Sequence, residues 1–112
     1  MGIRNLSEDV IIAELPSEGL EIADELKAVN ETISNECNCD VIIDFSKVEI
    51  INSSNISNLL ILRSMLQEHG RQLILCNVAM VTKCIFIVAG LDEIFVFADD
   101  KSSALAAMQT TN

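Results

Sequence analysis

The sequence predicts a single α/β domain over residues 1–112, with a mixed, mostly parallel β-sheet and about four helices. Three observations carry that prediction. Short β-branched runs alternate with segments whose apolar residues recur at helical spacing, the pattern of successive βαβ units with right-handed crossovers. Half of the 112 residues are hydrophobic, yet there is no Trp or Tyr, so the core is built from Ile, Leu and Val. No repeat, low-complexity run or long linker divides the chain, and its length supports one core rather than two.

The elements follow in order. Gly2 to Leu6 reads as an edge strand that pairs across a Ser7-Glu8-Asp9 turn with the buried run Val10-Ile11-Ile12-Ala13, which Pro16 and Gly19 stop. Leu20, Ile22, Ala23, Leu26, Val29 and Ile33 mark a first helix with an acidic outer face, ended by SNECN. Val41-Ile42-Ile43, followed by Asp44-Phe45, is too short for a helix and reads as a central strand. Extended chain is expected from Val48 to Ile51. Ile56, Leu59, Leu60, Met65 and Leu66 then mark a second helix, with Gly70 where a left-handed C-terminal residue belongs. Arg71 to Cys76 is a further strand, Ala79 to Ala89 a helix closed by Gly90, and Ile94 to Phe97 a last strand. Lys101 to Met108 forms the last helix, capped from Asp99 or Asp100.

Composition excludes several functions. The chain holds 17 acids against 7 bases, a formal net charge of -10. Residues 1–50 carry 12 of those acids and 3 of the bases. Such a chain repels nucleic-acid phosphates and anionic membrane surfaces, so a protein with a basic surface is the better partner; charge alone fits equally a role in keeping an aliphatic domain soluble. The apolar stretches, such as Cys84 to Leu91, fall well short of the roughly 20 residues that span a bilayer. The start MGIRNLSEDV has no basic region ahead of a long apolar one, and the expected location is the cytoplasm. Four Asn-x-Ser/Thr matches, at Asn5, Asn30, Asn52 and Asn55, therefore carry no glycosylation chemistry. Cys37, Cys39, Cys76 and Cys84 lack metal-ligand spacing, and the only histidine is His69; free thiols are expected, and neither metal nor cofactor.

One segment stands out. Asn52-Ser53-Ser54-Asn55 separates the central strand from the second helix. A helix start exposes N–H groups without partners, which Asn and Ser side chains accept from, so the tetrad fits a capping turn. The same place favours negative charge. A phosphate adds about -1.5 to -2 charges, so a serine in the first turn also fits a phosphorylation switch. Position alone is compatible with both. No glycine-rich phosphate loop or nucleophile elbow surrounds the serines. His69 lies at the far end of the helix, roughly 20 Å away at 1.5 Å per residue, too far to act as their base. No residue is assigned a catalytic role; Asp44, at a strand end, is a lone carboxylate.

Taken together, VIIDFSKVEIINSSN, HGRQLILCNV and AGLDEIFVF, in that order and spacing, resemble the STAS domains, which include bacterial anti-sigma factor antagonists. The resemblance runs from about Asp9 to Met108. It implies helices packed mainly on one face of the sheet and an exposed phosphoacceptor at the start of the second helix. Antagonist loops typically read Asp-Ser-Ser-Gly or Asp-Ser-Thr-Gly, which places Ser54 at the phosphoacceptor and Ser53 as second candidate. Asn52 replaces the Asp, keeping a capping oxygen and losing a charge. Asn55 replaces the Gly, and is expected to keep its left-handed conformational access. The implied activity is a partner switch. The unphosphorylated loop, with Asn52, Ser53, Ser54, Asn55, Ile56, Ser57 and Leu60, binds an anti-sigma factor that is also a serine kinase. Phosphorylation ends the binding and a phosphatase restores it. Two alternatives stand beside it: a STAS interaction module that is never phosphorylated, and a small-ligand or nucleotide-binding domain at the carboxyl ends of the strands.

Overall fold

The computed structural model describes residues 2–35 and 38–109. Five strands form one sheet in the order β1 (Gly2–Ser7), β2 (Val10–Glu14), β3 (Asp40–Asp44), β4 (Leu73–Cys76) and β5 (Val96–Ala98). The first pair is the expected antiparallel hairpin; the other three pairs are parallel. The β3 side chains are buried on both faces, as a central parallel strand requires.

Helices α1 (Gly19–Asn35), α2 (Ser53–Glu68), α3 (Met80–Val88) and α4 (Lys101–Gln109) connect and cover the strands. Strand residues split by parity. Ile11, Ala13, Val41, Ile43 and Leu75 share a core with Leu26 of α1, Leu62 of α2 and Phe86 of α3. Val10, Ile12, Ile42, Ile74 and Cys76 face the other way, onto Ala104 and Met108 of α4. Three of the four helices thus cover one face, and α4 alone covers the other.

Local signals set the helix ends. Gly70 and Gly90 follow α2 and α3 with φ of 69° and 76°, the left-handed stops expected of them. Asp100 caps α4: its Oδ1 accepts from the Ser103 N–H at 2.8 Å. That bond holds the exposed Asp100 carboxyl below its ordinary value.

Three expectations are corrected, and one connecting segment is defined more closely. Leu20 is 85% exposed, whereas Ile22, Leu26, Val29 and Ile33 are buried. At 100° per residue, Leu20 and Ile22 lie on nearly opposite sides of a helix, so only one can face the sheet. Val48 to Ile51, expected as extended chain, belongs to no strand, and the Val48 N–H closes a turn on the Phe45 carbonyl at 3.0 Å. Val48 and Ile51 nevertheless bury their side chains in the main core. The last strand begins at Val96 rather than Ile94, because the Ile94 and Phe95 N–H groups both turn back to the Leu91 carbonyl. Cys39 is disulfide-bonded rather than a free thiol; the expectation rested on a reducing compartment, whereas a bond requires only that two sulfurs meet in the right geometry. Cys37 lies outside the described residues, while Cys76 and Cys84 are both free.

Candidate functional site

The site is the entry into α2. β3 ends at Asp44, and a loop anchored by Val48 and Ile51 carries the chain to Asn52. Asn52 is the N-cap, with extended backbone at φ -121° and ψ 178°. Its Oδ1 accepts from the Asn55 N–H at 2.9 Å, and its own N–H donates to Asn55 Oδ1 at 3.0 Å. The two asparagines form a reciprocal capping box, with an amide where such boxes commonly have Glu or Gln.

That arrangement corrects the role expected of Asn55. It is fully buried, within the helix, and has no left-handed backbone; among the described residues Asn77 alone, glycines aside, has a positive φ. The residue is there for its side-chain carbonyl and not for its backbone freedom.

With Asn52 and Asn55 turned toward each other, Ser53 and Ser54 occupy the first turn with exposed side chains. Ser57 follows on the exposed surface, one turn on. Ile56 and Leu60 are half-buried and pack against the main core, so each presents only part of its surface. Ile61, which the sequence did not single out, is 50% exposed on the same helix, and Ile50 is 62% exposed just before the cap. Their apolar character was legible; their exposure was not.

Asp44 has a structural role. Its carboxylate is buried, and Oδ1 accepts from the Ser46 N–H at 2.9 Å and the Asn77 side-chain amide at 3.0 Å. Asn77, at φ 57°, turns the chain out of β4 beside it. Burial, with the Asp44 charge beside it, pushes the Cys76 thiol up to about 12. His69 is the C-cap of α2, its Nδ1 2.8 Å from the Met65 carbonyl, at the opposite end of the helix from Ser54. Among the described residues no cluster of three His, Cys, Asp or Glu side chains could hold a metal ion, and no helix is long and apolar enough to cross a membrane.

The family model for the STAS domain matches residues 20–104. Among solved structures, the anti-sigma-factor antagonist (STAS) domain protein of Planctomyces limnophilus superposes with a TM-score of 0.83 at 22% identity, over 98% of this chain and 100% of its own. The phosphorylated form of SpoIIAA, the Bacillus cell fate determinant, gives 0.72 at 18% identity over 94% and 96%. A sulfate transporter family protein of Wolinella succinogenes gives 0.77 at 22% identity over 95% and 89%. At such identities these likenesses establish the fold. No curated protein sequence matches the chain.

Proposed function

The chain belongs to the STAS domain family, and on that premise we propose that it is an anti-sigma factor antagonist acting in a cytoplasmic partner switch. In this reading the unphosphorylated start of α2 docks an anti-sigma factor that is also a serine kinase. Phosphorylation of Ser54 ends the docking, and a phosphatase restores it.

The observation that carries the reading is the division of labour in the tetrad. Asn52 and Asn55 cap the helix with each other, which leaves the exposed Ser54 hydroxyl unneeded for capping. A phosphate placed there would meet the positive end of α2 and leave the cap intact. It would also put a double charge one helical turn from Ser57, an exposed part of the docking surface. The fold would persist and the interface would not. The docking surface comprises Asn52, Ser53, Ser54, Ser57 and the accessible parts of Ile56 and Leu60, with Asn55 supporting it from below.

A second reading is favoured by Asn52 itself. It lacks the carboxylate of typical antagonist loops, which suits a docking module that no kinase modifies. The two readings separate by capturing partners from native extract on wild type and Ser54→Asp. An identified serine kinase should then be purified and incubated with wild type and Ser54→Ala. Phosphate incorporated at Ser54, with capture lost in Ser54→Asp, supports the switch. Equal capture by both forms and no incorporation would leave a constitutive docking module.

A further inference from the structure

A second site lies at the opposite end of α2. A cavity of about 310 Å³ opens between the C-terminal half of that helix and the amino ends of β4 and β5. Leu66, Leu73, Ile74 and Phe95, all buried residues, contribute an apolar floor. Its size is at the low end of the range for small-molecule pockets, and its lining sets the polar side chains of Arg63, Gln67, Arg71 and Gln72 around that apolar floor.

Two of the chain's three arginines line this cavity. They are not equivalent. Arg71 is committed to the protein: its Nε lies 3.2 Å from Asp40 Oδ1, and a terminal nitrogen donates to the Asp9 carbonyl at 3.1 Å. Arg63 is fixed only at its root, where Nε donates to the Ile94 carbonyl at 3.2 Å. Among the described residues its terminal nitrogens make no hydrogen bond or ion pair. The guanidinium is therefore oriented, half-buried and still able to present its planar fork.

We propose that this cavity binds a small monocarboxylate with a hydrocarbon tail, the carboxylate on the Arg63 fork and the tail on the Leu66–Phe95 floor. The charge balance selects this class. One uncommitted guanidinium neutralises one negative charge, while Asp9 and Asp40 beside Arg71, on a chain of net charge -10, disfavour a dianion such as phosphate. The apolar floor gives nothing to a small hydrated anion and rewards a tail by burial. Arg63 is nine residues beyond Ser54, roughly 14 Å along the helix, so the site is distinct from the phosphoacceptor and does not depend on it.

The test is to titrate the 112-residue, nitrogen-15-labelled chain at neutral pH with octanoate and, in parallel, with octanol and inorganic phosphate, following backbone amides. Saturable shifts clustered at Leu73, Ile74, Ile94 and Phe95 are expected with octanoate. Octanol and phosphate should bind at least about tenfold more weakly, and Arg63→Gln should weaken octanoate by a similar factor, as loss of a charge-assisted hydrogen bond implies. Absence of saturable shifts, shifts centred elsewhere, octanol or phosphate binding as well as octanoate, or an unchanged affinity in Arg63→Gln would each overturn the proposal. Should Arg63→Gln fail to fold, the three-ligand comparison on wild type decides alone.

Discussion

Asn52 and Asn55 exchange two hydrogen bonds, 2.9 and 3.0 Å, across the first turn of α2. The exchange makes the helix start self-contained. The asparagines hold the turn and the serines face outward, so in the proposed switch stability and regulation fall to different members of one tetrapeptide. This separation makes the first two predictions independent of each other.

Asn55→Ala removes the buried half of the capping box and leaves the Asn52 N–H without its acceptor. The expected loss is about 1–3 kcal/mol. Asn52→Asp retains the acceptor oxygen and adds a negative charge at the helix N-terminus, for an expected gain of about 0.3–1 kcal/mol. Urea denaturation of the two variants checks both signs.

Ser54→Asp is expected to unfold no earlier than wild type, since its charge also lies in the first turn of α2, and to gain up to about 1 kcal/mol. A thermal melt lower than wild type would mean that any loss of partner binding in this variant reflects damage rather than a switch.

Cys84 is exposed and Cys76 is buried. An aromatic disulfide reagent at neutral pH should therefore modify Cys84 promptly and Cys76 only on unfolding. The Cys76 thiol, at about 12 when folded against an ordinary 9.0, keeps its proton longer than in the unfolded chain. Its stabilising contribution is complete below about 9 and is lost as pH rises from there toward 12. Cys76→Ala should flatten that alkaline decline in denaturation midpoints.

Asp100 has the opposite sign. Its carboxyl is held below the ordinary 3.8, chiefly by the Ser103 N–H, so the cap is in place above that value and lost as pH falls through the lower folded one. In acid the Ser103 amide resonance should titrate and α4 amides should exchange faster. Asp100→Asn should cap without this dependence.

Leu20→Ser, at an 85% exposed position, is expected to change stability by less than about 0.5 kcal/mol. Ile22→Ala, two residues on and fully buried, is expected to cost about 2–5 kcal/mol. Chemical denaturation of the pair tests which face of α1 meets the sheet.

How much was legible varies from residue to residue. Val41-Ile42-Ile43 announced a central strand because buried parallel strands tolerate little else. Gly70 and Gly90 announced helix ends because few residues accept positive φ. Ser54 was singled out by resemblance to a family motif, and its side chain is exposed in the first turn of α2. Asn55 was misread because Asn serves two purposes, left-handed backbone and side-chain capping, and only the fold decides between them. Arg63 passed unnoticed since a lone arginine on a helix carries no local signal of the cavity beside it.

The sequence by itself determined the alternation of strands and helices, the aliphatic core, the acidic surface and the position of the phosphoacceptor candidate. The first three follow from periodicity, composition and local backbone preference, each readable within a few residues; the last follows from resemblance to a family motif. Only the tertiary structure decided that α4 alone covers the second face and that Asp44 is bound by Asn77, 33 residues away. It alone brought Arg63 against Ile94, 31 residues on, at the rim of a cavity. Such pairings depend on which distant surfaces meet once the sheet forms, and no local preference specifies them.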